Sequence, residues 1–323
     1  MSFLVRLSIV LLASCGLAAQ AQSSAWPSKP ITFVVPYAAG GFGDIRARKV
    51  SERLSKSLGV PVVVENRAGA GGVVGTQYLV KAAPDGYTIG MGNLAPLAVN
   101  VSLMKKLPYD PAKDVEPIIL LERAPLILST APGQGVATLK ELVDKARANP
   151  GKLSYGSSGI GGAHHLSGAM FAYQAAIDIV HVPYKGGAAA ATDLLAGHIA
   201  MMFEMGYAAM PAIKAGKIKP VAVSSRKRLV ALPDVPTLEE SGFPGFESYN
   251  WQGIIAPKGT PPAIIARLSR ELNEMLQQPD MRELIVESVS EPVGGTPAEF
   301  AAFIRSETAK WAQVVKTANI RPE

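Results

Sequence analysis

Two kinds of hydrophobic pattern alternate along the chain. Short runs that are almost continuously apolar occur at 31–35, 61–65 and 87–91, and such runs are typical of strands buried on both faces. Between them, apolar residues line one side of the segment 44–58, and a second helical segment occupies 72–82. Alternating strands and helices predict an α/β unit in which helices cover both faces of a parallel sheet.

The same alternation begins again near residue 124 and predicts a second unit of this kind. The predicted strands of this unit are 126–128, 153–156, 179–182, 201–203 and 219–223, and its predicted helices are 139–148, 163–175 and 188–196. After a loop-rich stretch, the remaining predicted elements are a strand at 254–256 and helices at 262–277, 281–286 and 297–318.

Two sheet units predict a two-lobed α/β protein, with each lobe a sheet flanked by helices. We place the crossings between the lobes near 117–123 and 246–251. The first lobe would then comprise 26–122 and 249–323, and the second lobe 123–248. In this arrangement the final helices return to the first lobe.

Residues 1–21 have the features of a secretory signal peptide. Arg6 precedes an apolar stretch that is too short to span a bilayer, and Ala19-Gln20-Ala21 fits the small-residue cleavage pattern. We therefore expect export to the periplasm. Residues 12–15 also resemble a lipoprotein cleavage box, so a lipid anchor at Cys15 is the alternative. Because Cys15 is the only cysteine, cleavage after Ala21 would leave no thiol and no disulfide.

Composition and motifs narrow the classes of function. The chain has 323 residues, 48% hydrophobic and 18% charged, as expected of a packed globular protein. Its net charge of +6 is dispersed, without the basic stripe of a nucleic-acid surface. The four histidines form no metal-binding pattern, and Gly41-Phe42-Gly43 fails the dinucleotide fingerprint because Arg46 stands where its third glycine belongs. We expect no nucleic acid, metal or cofactor, and no enzymatic role.

A glycine-rich loop joins the first predicted strand to the first predicted helix. In open parallel sheets, ligands bind beyond the carboxyl ends of the strands, and helix N-termini attract anions. Asp44 is expected to be the N-cap of that helix. The candidate binding residues of this loop are Tyr37, Ala38, Ala39, Gly40, Gly41, Gly43 and Asp44.

A second glycine-rich loop, 155–165, also runs from a strand into a helix. With one such loop in each lobe, a cleft between the lobes would hold a carboxylate mainly through neutral dipoles. The candidates here are Ser157, Ser158, Gly159, His164 and His165. Further candidates for lining the cleft are Asn93, Tyr184, Lys185, Gly186 and Glu204; for Lys185 and Glu204, a purely solvated position remains an alternative.

The same serines and histidines leave a second class of function open. Ser157 or Ser158 with His164 or His165 could form a nucleophile and base, as in a secreted serine hydrolase. The loop lacks the G-x-S-x-G nucleophile elbow, so serine hydroxyls that donate to a ligand are favoured.

Motifs along the whole mature chain resemble those of the periplasmic binding proteins of tripartite tricarboxylate transporters, the Bug family. The motifs are WPSKPI at 26–31, VPY at 35–37, VENRAGAGG at 64–72, APDGYT at 83–88, PGKLSYGS at 150–157, HVPYKGG at 181–187 and LPDVPT at 232–237. The resemblance implies a type II, Venus-flytrap fold. It also implies capture of a dicarboxylate, tricarboxylate, aromatic acid or acidic amino acid by the loops 36–44 and 155–165, partly through water.

The resemblance further implies delivery of the ligand to a small and a large membrane subunit. We expect the receptor to be a monomer, and a solute sensor for a signalling partner would have the same sequence features. The chain departs from the family pattern where Ala38-Ala39 replaces common prolines and Gly162-Ala163 replaces frequent hydroxyl residues. Glu204-Met205 replaces a common Asp-Asn pair, which leaves the identity of the carboxylate open.

Overall fold

A computed structural model describes residues 26–320 of the chain. The predicted signal peptide at 1–21, including Cys15, lies outside the described residues. The strands of the described part are β1 Ile31–Val35, β2 Val62–Asn66, β3 Thr88–Asn93, β4 Val115–Thr130, β5 Ser154–Ser157, β6 Val180–Pro183, β7 Met201–Met205, β8 Lys219–Val223, β9 Tyr249–Pro257 and β10 Glu291–Gly294.

Helices connect and cover these strands. They are α1 Phe42–Leu58, α2 Val73–Val80, α3 Asn100–Leu103, α4 Pro111–Asp114, α5 Leu139–Ala148, α6 Ala163–Ala175, α7 Gly187–Ala196, α8 Gly206–Lys214, α9 Pro262–Gln277, α10 Pro279–Glu287 and α11 Pro297–Thr317. A 3₁₀ turn at Ala70–Gly72 precedes α2, and a π-helical turn at Ala95–Val99 precedes α3. Within residues 26–320, no helix combines the length and apolar character needed to cross a membrane.

The strands form one continuous path in the order β2-β1-β3-β9-β4-β7-β5-β6, with β8 and β10 also pairing with β4. β1 is parallel to β2 and β3, and β5 is parallel to β6 and β7. β9 is antiparallel to both β3 and β4, and β4 is antiparallel to β7. The two parallel groups correspond to the two predicted sheet units of an α/β protein.

The long strand β4 belongs to both lobes. Its residues as far as Pro125 pair with β9, and from Leu126 onward it pairs with β7 and β8. β9 begins at Tyr249, directly opposite Pro125, so both crossings of the chain occur in this adjacent pair of strands. We call the side containing β1, β2, β3 and β9 the first lobe and the side containing β5 to β8 the second lobe. The lobe boundaries at residues 122/123 and 248/249 stay a prediction.

The prediction of purely parallel sheets was wrong, because β4 and β9 run antiparallel to their neighbours. The first crossing, predicted near 117–123, lies inside β4. Two prolines and three charged residues interrupt the apolar pattern of β4. The strand accommodates them through register shifts near Pro117 and Glu122. Helix α8 and strand β10 were not predicted.

Buried contacts tie the C-terminal helix α11 to the central strands. Glu307 of α11 is 5% exposed, and its carboxylate accepts hydrogen bonds from the indole N–H groups of Trp251 in β9 and Trp311. The N–H to carboxylate distances are 3.0 and 2.9 Å. Lys310 forms an ion pair with the same carboxylate. α11 begins with a capping box, in which the side chains of Thr296 and Glu299 each accept a hydrogen bond from the backbone N–H of the other residue.

Candidate ligand-binding site

A cavity of about 550 Å³ lies between the two lobes. From the first lobe it is lined by Tyr37, Gly41, Phe42, Gly43, Gly71, Asn93, Leu94, Ala95, Asn100, Asn250 and Gln252. From the second lobe it is lined by Ser158, Gly159, Ile160, Gly162, Ala163, His164, Gly187, Ala188, Ala191, Glu204, Met205, Tyr207 and Ala208. Its size suits a small organic molecule.

Four of the helices within residues 26–320 begin at this cavity. α1 comes from the first lobe, and α6, α7 and α8 come from the second lobe; each has at least one residue of its first turn in the lining. Their N-cap residues are Gly41, Gly162, Gly186 and Met205, and none of these supplies a side-chain cap. The first N–H groups of a helix have no partner within the helix, and its N-terminus carries partial positive charge. The cavity therefore favours an anion.

The charged side chains of the lining are few. Within the part of the chain that the structure describes, neither lysine nor arginine lines the cavity, and Glu204 is the acidic residue that does. The rest of the lining is largely apolar, with Leu94, Ile160 and several alanines. An anion would thus be held by backbone and neutral side-chain dipoles.

Tyr37 of the first loop lines the cavity and is hydrogen-bonded to Asn93, which is itself bonded to the backbone of β9. Its hydroxyl donates to Oδ1 of Asn93 at 2.9 Å, and Nδ2 of Asn93 donates to the carbonyl oxygen of Trp251 at 2.8 Å. Burial, together with the nearby Tyr109, raises the pKa of Tyr37, so this hydroxyl stays protonated and remains a donor. The prediction that Tyr37 and Asn93 contact the ligand is compatible with their place in the lining.

Asp44 is not the N-cap of the first helix, so that prediction was wrong. α1 begins two residues earlier, at Phe42, and Gly41 is its N-cap. Asp44 instead reaches back from the first turn and accepts from the backbone N–H of Gly40 at 2.9 Å and from Nδ2 of Asn66 at 2.9 Å. Burial alone would raise the pKa of Asp44, but hydrogen bonds from Arg48, Gly40 and Asn66 hold it below its ordinary value. Asp44 therefore fixes the conformation of the loop through its hydrogen bonds to Gly40 and Asn66.

A chain of three hydrogen-bonded side chains forms the second-lobe wall. Oγ of Ser158 lies 2.9 Å from Nδ1 of His164, and Nε2 of His164 lies 2.9 Å from Oε1 of Glu204. The same Oε1 accepts from the backbone N–H of Met205 at 2.9 Å. His164 and Glu204 are each 4% exposed, so the solvated-loop alternative for Glu204 is wrong.

Ser157 and His165 point beneath the second loop instead of into the cavity. His165 stacks on His181 with ring centroids 3.9 Å apart, and Oγ of Ser157 lies 2.7 Å from Nε2 of His181. The backbone N–H of Gly161 donates to Nδ1 of His165 at 3.1 Å, which anchors the loop. Burial, with a smaller effect of His181, lowers the pKa of His165 to about 3, and burial lowers the pKa of His181 to about 4. Both rings are neutral near pH 7.

The loop 182–187, which contains the candidates Tyr184, Lys185 and Gly186, contributes less to the lining than the two glycine-rich loops. The hydroxyl of Tyr184 donates to Oδ2 of Asp193 at 2.7 Å, and burial and Asp193 raise its pKa to about 12. Lys185 is exposed, and Gly186 is the N-cap of α7 without itself lining the cavity.

The structure places the predicted residues in two groups. Eight line the cavity: Tyr37, Gly41, Gly43, Asn93, Ser158, Gly159, His164 and Glu204. Nine do not line it: Ala38, Ala39, Gly40, Asp44, Ser157, His165, Tyr184, Lys185 and Gly186. Which of the seventeen contact a ligand stays a prediction. Among the described residues, no cluster of three or more histidine, cysteine or acidic side chains is arranged to hold a metal ion.

Sequence reasoning missed several lining residues. Phe42 and Tyr207 come from opposite lobes and stack on each other, and Tyr207 lies in the unpredicted helix α8. Asn100 and Gln252 are 5% and 1% exposed. Their atoms Nδ2 and Oε1, respectively, have no hydrogen-bond partner within residues 26–320. The local sequence around these two amides contains no motif that marks them.

The fold and the site together define a two-lobed solute-binding receptor of the periplasmic binding protein type. The sequence model of the tripartite tricarboxylate transporter family receptor matches residues 46–320, and the chain belongs to this family. The resemblance to the Bug proteins is thereby confirmed. BugT of Bordetella pertussis (strain Tohama I) is 38% identical over 308 residues, covering 95% of this chain and 94% of BugT.

Two solved structures extend the comparison. Rpa4515 of R. palustris, solved with adipate, has a TM-score of 0.85 and 36% identity, covering 92% of this chain and 100% of that chain. MatC from Rhodopseudomonas palustris, solved with bound malate, has a TM-score of 0.80 and 32% identity, covering 90% of this chain and 100% of that chain.

Proposed function

We propose that this chain captures a small organic carboxylate in the periplasm and delivers it to the small and large membrane subunits of a tripartite tricarboxylate transporter. The observation that carries the proposal is the convergence of four uncapped helix N-termini on one interlobe cavity. Membership of the receptor family and the adipate and malate bound by two similar proteins support it. The proposed receptor acts as a monomer after removal of residues 1–21.

One carboxylate of the ligand would be held between the loops that begin α1 and α6. The backbone N–H groups at Gly41–Gly43 and Gly162–His164 offer donors, and the hydroxyl groups of Tyr37 and Ser158 lie in the same lining. Removing a carboxylate from water is costly unless such donors replace its hydration. Converging helix N-termini meet this requirement without a cationic side chain.

Ligand contacts to both lobes would favour a closed arrangement of the two lobes. We propose that lobe 1 comprises 26–122 and 249–323 and lobe 2 comprises 123–248, with the hinge in the paired strands β4 and β9. A ligand shifts such an equilibrium only by its difference in affinity for the two states. The closed, loaded receptor would then be the form recognised by the membrane subunits. The sensor alternative shares this binding step and differs only in the partner.

The test is ligand identification followed by a binding screen. Mass spectrometry of small molecules released from the denatured, purified protein should find an organic acid. Refolded, ligand-free protein should then gain thermal stability with that acid, since a ligand at 100 times its Kd stabilises the fold by ~2.7 kcal/mol. Neutral amides of the same acids serve as controls. A broad panel of carboxylates without any effect on Tm would contradict the proposal.

A second candidate function is ester hydrolysis at Ser158, and the hydrogen-bonded chain Ser158–His164–Glu204 is the observation that favours it. The order of nucleophile, base and acid is that of a catalytic triad, with the two ring nitrogens of His164 exchanged, since Ser158 contacts Nδ1 and Glu204 contacts Nε2. The start of α6 could stabilise an oxyanion. This candidate predicts turnover of ester substrates that disappears in Ser158→Ala. Binding of carboxylates that survives in Ser158→Ala without any turnover would favour the receptor.

A further inference from the structure

We propose that Glu204 is a built-in carboxylate that occupies the second anion position of the cavity, so that the ligand is an acid with one carboxylate and an uncharged far end. This inference rests on the proposed function, because it concerns the chemistry of the captured carboxylate. It also makes Glu204 a residue that determines specificity.

The carboxylate of Glu204 sits where three helices of the second lobe begin. Oε1 accepts from the backbone N–H of Met205, the N-cap of α8, and from Nε2 of His164, in the first turn of α6. A Cβ built at Gly187, the first residue of α7, would lie 3.6 Å from Oε2. Partial positive charge from three helix N-termini therefore meets at this side chain.

A second carboxylate on the ligand would find no unused cation at this end of the cavity. His164 is already hydrogen-bonded to Glu204, and neither lysine nor arginine lines the cavity in the described part of the chain. Two carboxylates within a few ångströms of each other in a partly desolvated site repel strongly. Glu204 accepts from the side chain of His164 and the backbone of Met205, so the backbone N–H groups at the starts of α1 and α6 keep one anion position free for the ligand.

The unpartnered amides lie on the first-lobe side of the cavity and indicate a further, uncharged polar group on the ligand. Asn100 offers a buried donor through Nδ2, and Gln252 offers a buried acceptor through Oε1. Buried polar groups are normally hydrogen-bonded, so a ligand that supplies both a donor and an acceptor would satisfy them. A hydroxyl or a carboxamide has both, whereas an ionised carboxylate has acceptors only. The remaining lining is apolar and suits an aliphatic or aromatic body.

Matched pairs of acids test this inference directly. Adipate and terephthalate are each compared with their own monoamide by isothermal titration calorimetry, using ligand-free wild-type protein and the variant Glu204→Gln. In the wild type, the Kd of each monoamide should be at least about tenfold lower than the Kd of its diacid. In Glu204→Gln this preference should shrink by about tenfold or reverse, because the built-in charge is gone. Circular dichroism and Tm measure whether the variant is folded.

The outcomes separate this inference from the proposed function. A wild type that binds a diacid as tightly as its monoamide, or more tightly, would overturn the role of Glu204 and leave a carboxylate receptor standing. A folded Glu204→Gln variant with an unchanged preference would overturn it as well. Binding of no acid, mono- or dicarboxylate, would overturn both proposals together. The wild-type comparison decides the question even if the variant does not fold.

Discussion

The rings of Phe42 and Tyr207 lie parallel to each other in the lining of the cavity, with centroids 4.9 Å apart and planes 7° from parallel. Phe42 is the first residue of α1, in the first lobe, and Tyr207 is the second residue of α8, in the second lobe. The stack therefore joins the two lobes through the same helix starts that line the cavity.

The first prediction concerns this stack. Phe42→Leu and Tyr207→Leu should each raise the Kd for the carboxylate about two- to tenfold, because an aromatic pair contributes ~0.5–1.5 kcal/mol beyond its buried area. Calorimetry on both single variants and the double variant measures the coupling between the rings. Tyr173→Leu, at a surface tyrosine that does not line the cavity, is the control. Strictly additive losses would mean that the stack does not contribute to closure.

The second prediction concerns the buried ion pair between α1 and β4. Nε and a terminal nitrogen of Arg46 donate to the two carboxylate oxygens of Glu122 at 2.7 and 2.9 Å, and the side chains are 3% and 0% exposed. Removing one partner leaves the other charge buried and unpaired, so Glu122→Ala should lower the free energy of unfolding by ~3–5 kcal/mol. Urea denaturation measures this loss.

A control and a rescue make that prediction specific. Asp144→Ala removes an exposed pair with Lys140 on α5, where solvent screens the charges, and should change the unfolding midpoint little. Replacing both members of the buried pair, as Arg46→Met with Glu122→Leu, should recover much of the lost stability. Equal losses in Glu122→Ala and Asp144→Ala would show that burial does not set the strength of the Arg46–Glu122 pair.

The third prediction is a pH dependence of stability from the stacked histidines. The folded pKa values of His165 and His181, about 3 and about 4, lie below the ordinary 6.5. Between pH 6.5 and about 4 the unfolded chain therefore binds more protons, and stability falls as the pH is lowered through that window. Stability is fully present above pH 6.5. The slope from the buried His165 approaches ~1.4 kcal/mol per pH unit.

Unfolding free energies at neutral pH and near pH 5 measure this effect. The difference between the two pH values should be smaller in His165→Gln than in the wild type, because glutamine does not titrate. His198→Gln, at a histidine with a 71% exposed side chain, is the matched control and should leave the difference unchanged. A wild type and a His165→Gln variant with the same pH dependence would rule out His165 as its source.

Local patterns were sufficient for much of the fold and for the two glycine loops. The loops at 36–44 and 155–165 could be recognised because strand, glycines and helix start are adjacent in sequence, and both loops contribute to the cavity. The sequence pattern predicted only residues 126–128 of β4. The rest of the strand pairs with β9, a segment about 130 residues away, and no local pattern encodes such a pairing. Gln252 and Asn100 reach the cavity through that long-range pairing and the π-helical turn before α3.

The sequence also did not predict the direction in which neighbouring side chains point. Ser157 and Ser158 are neighbours in sequence, yet Ser158 lines the cavity and Ser157 bonds His181 beneath the loop. The same division separates His164 from His165, since successive residues on a helix point about 100° apart. Which member of each pair faces the ligand depends on how α6 packs on β5 and β6, and that packing is set by the tertiary structure.

The fourth prediction compares two glycines near the first loop. A Cβ at Gly75 of α2 would lie 2.6 Å from Cα of Pro36, so Gly75→Ala must displace the loop and should lower both Tm and affinity, although alanine favours helices by ~1 kcal/mol. A Cβ at Gly43, which lines the cavity, would meet Tyr37 at an ordinary 3.5 Å. Gly43→Ala should therefore keep its Tm and lose affinity in calorimetry. Unchanged affinity in Gly43→Ala would place the carboxylate away from the start of α1.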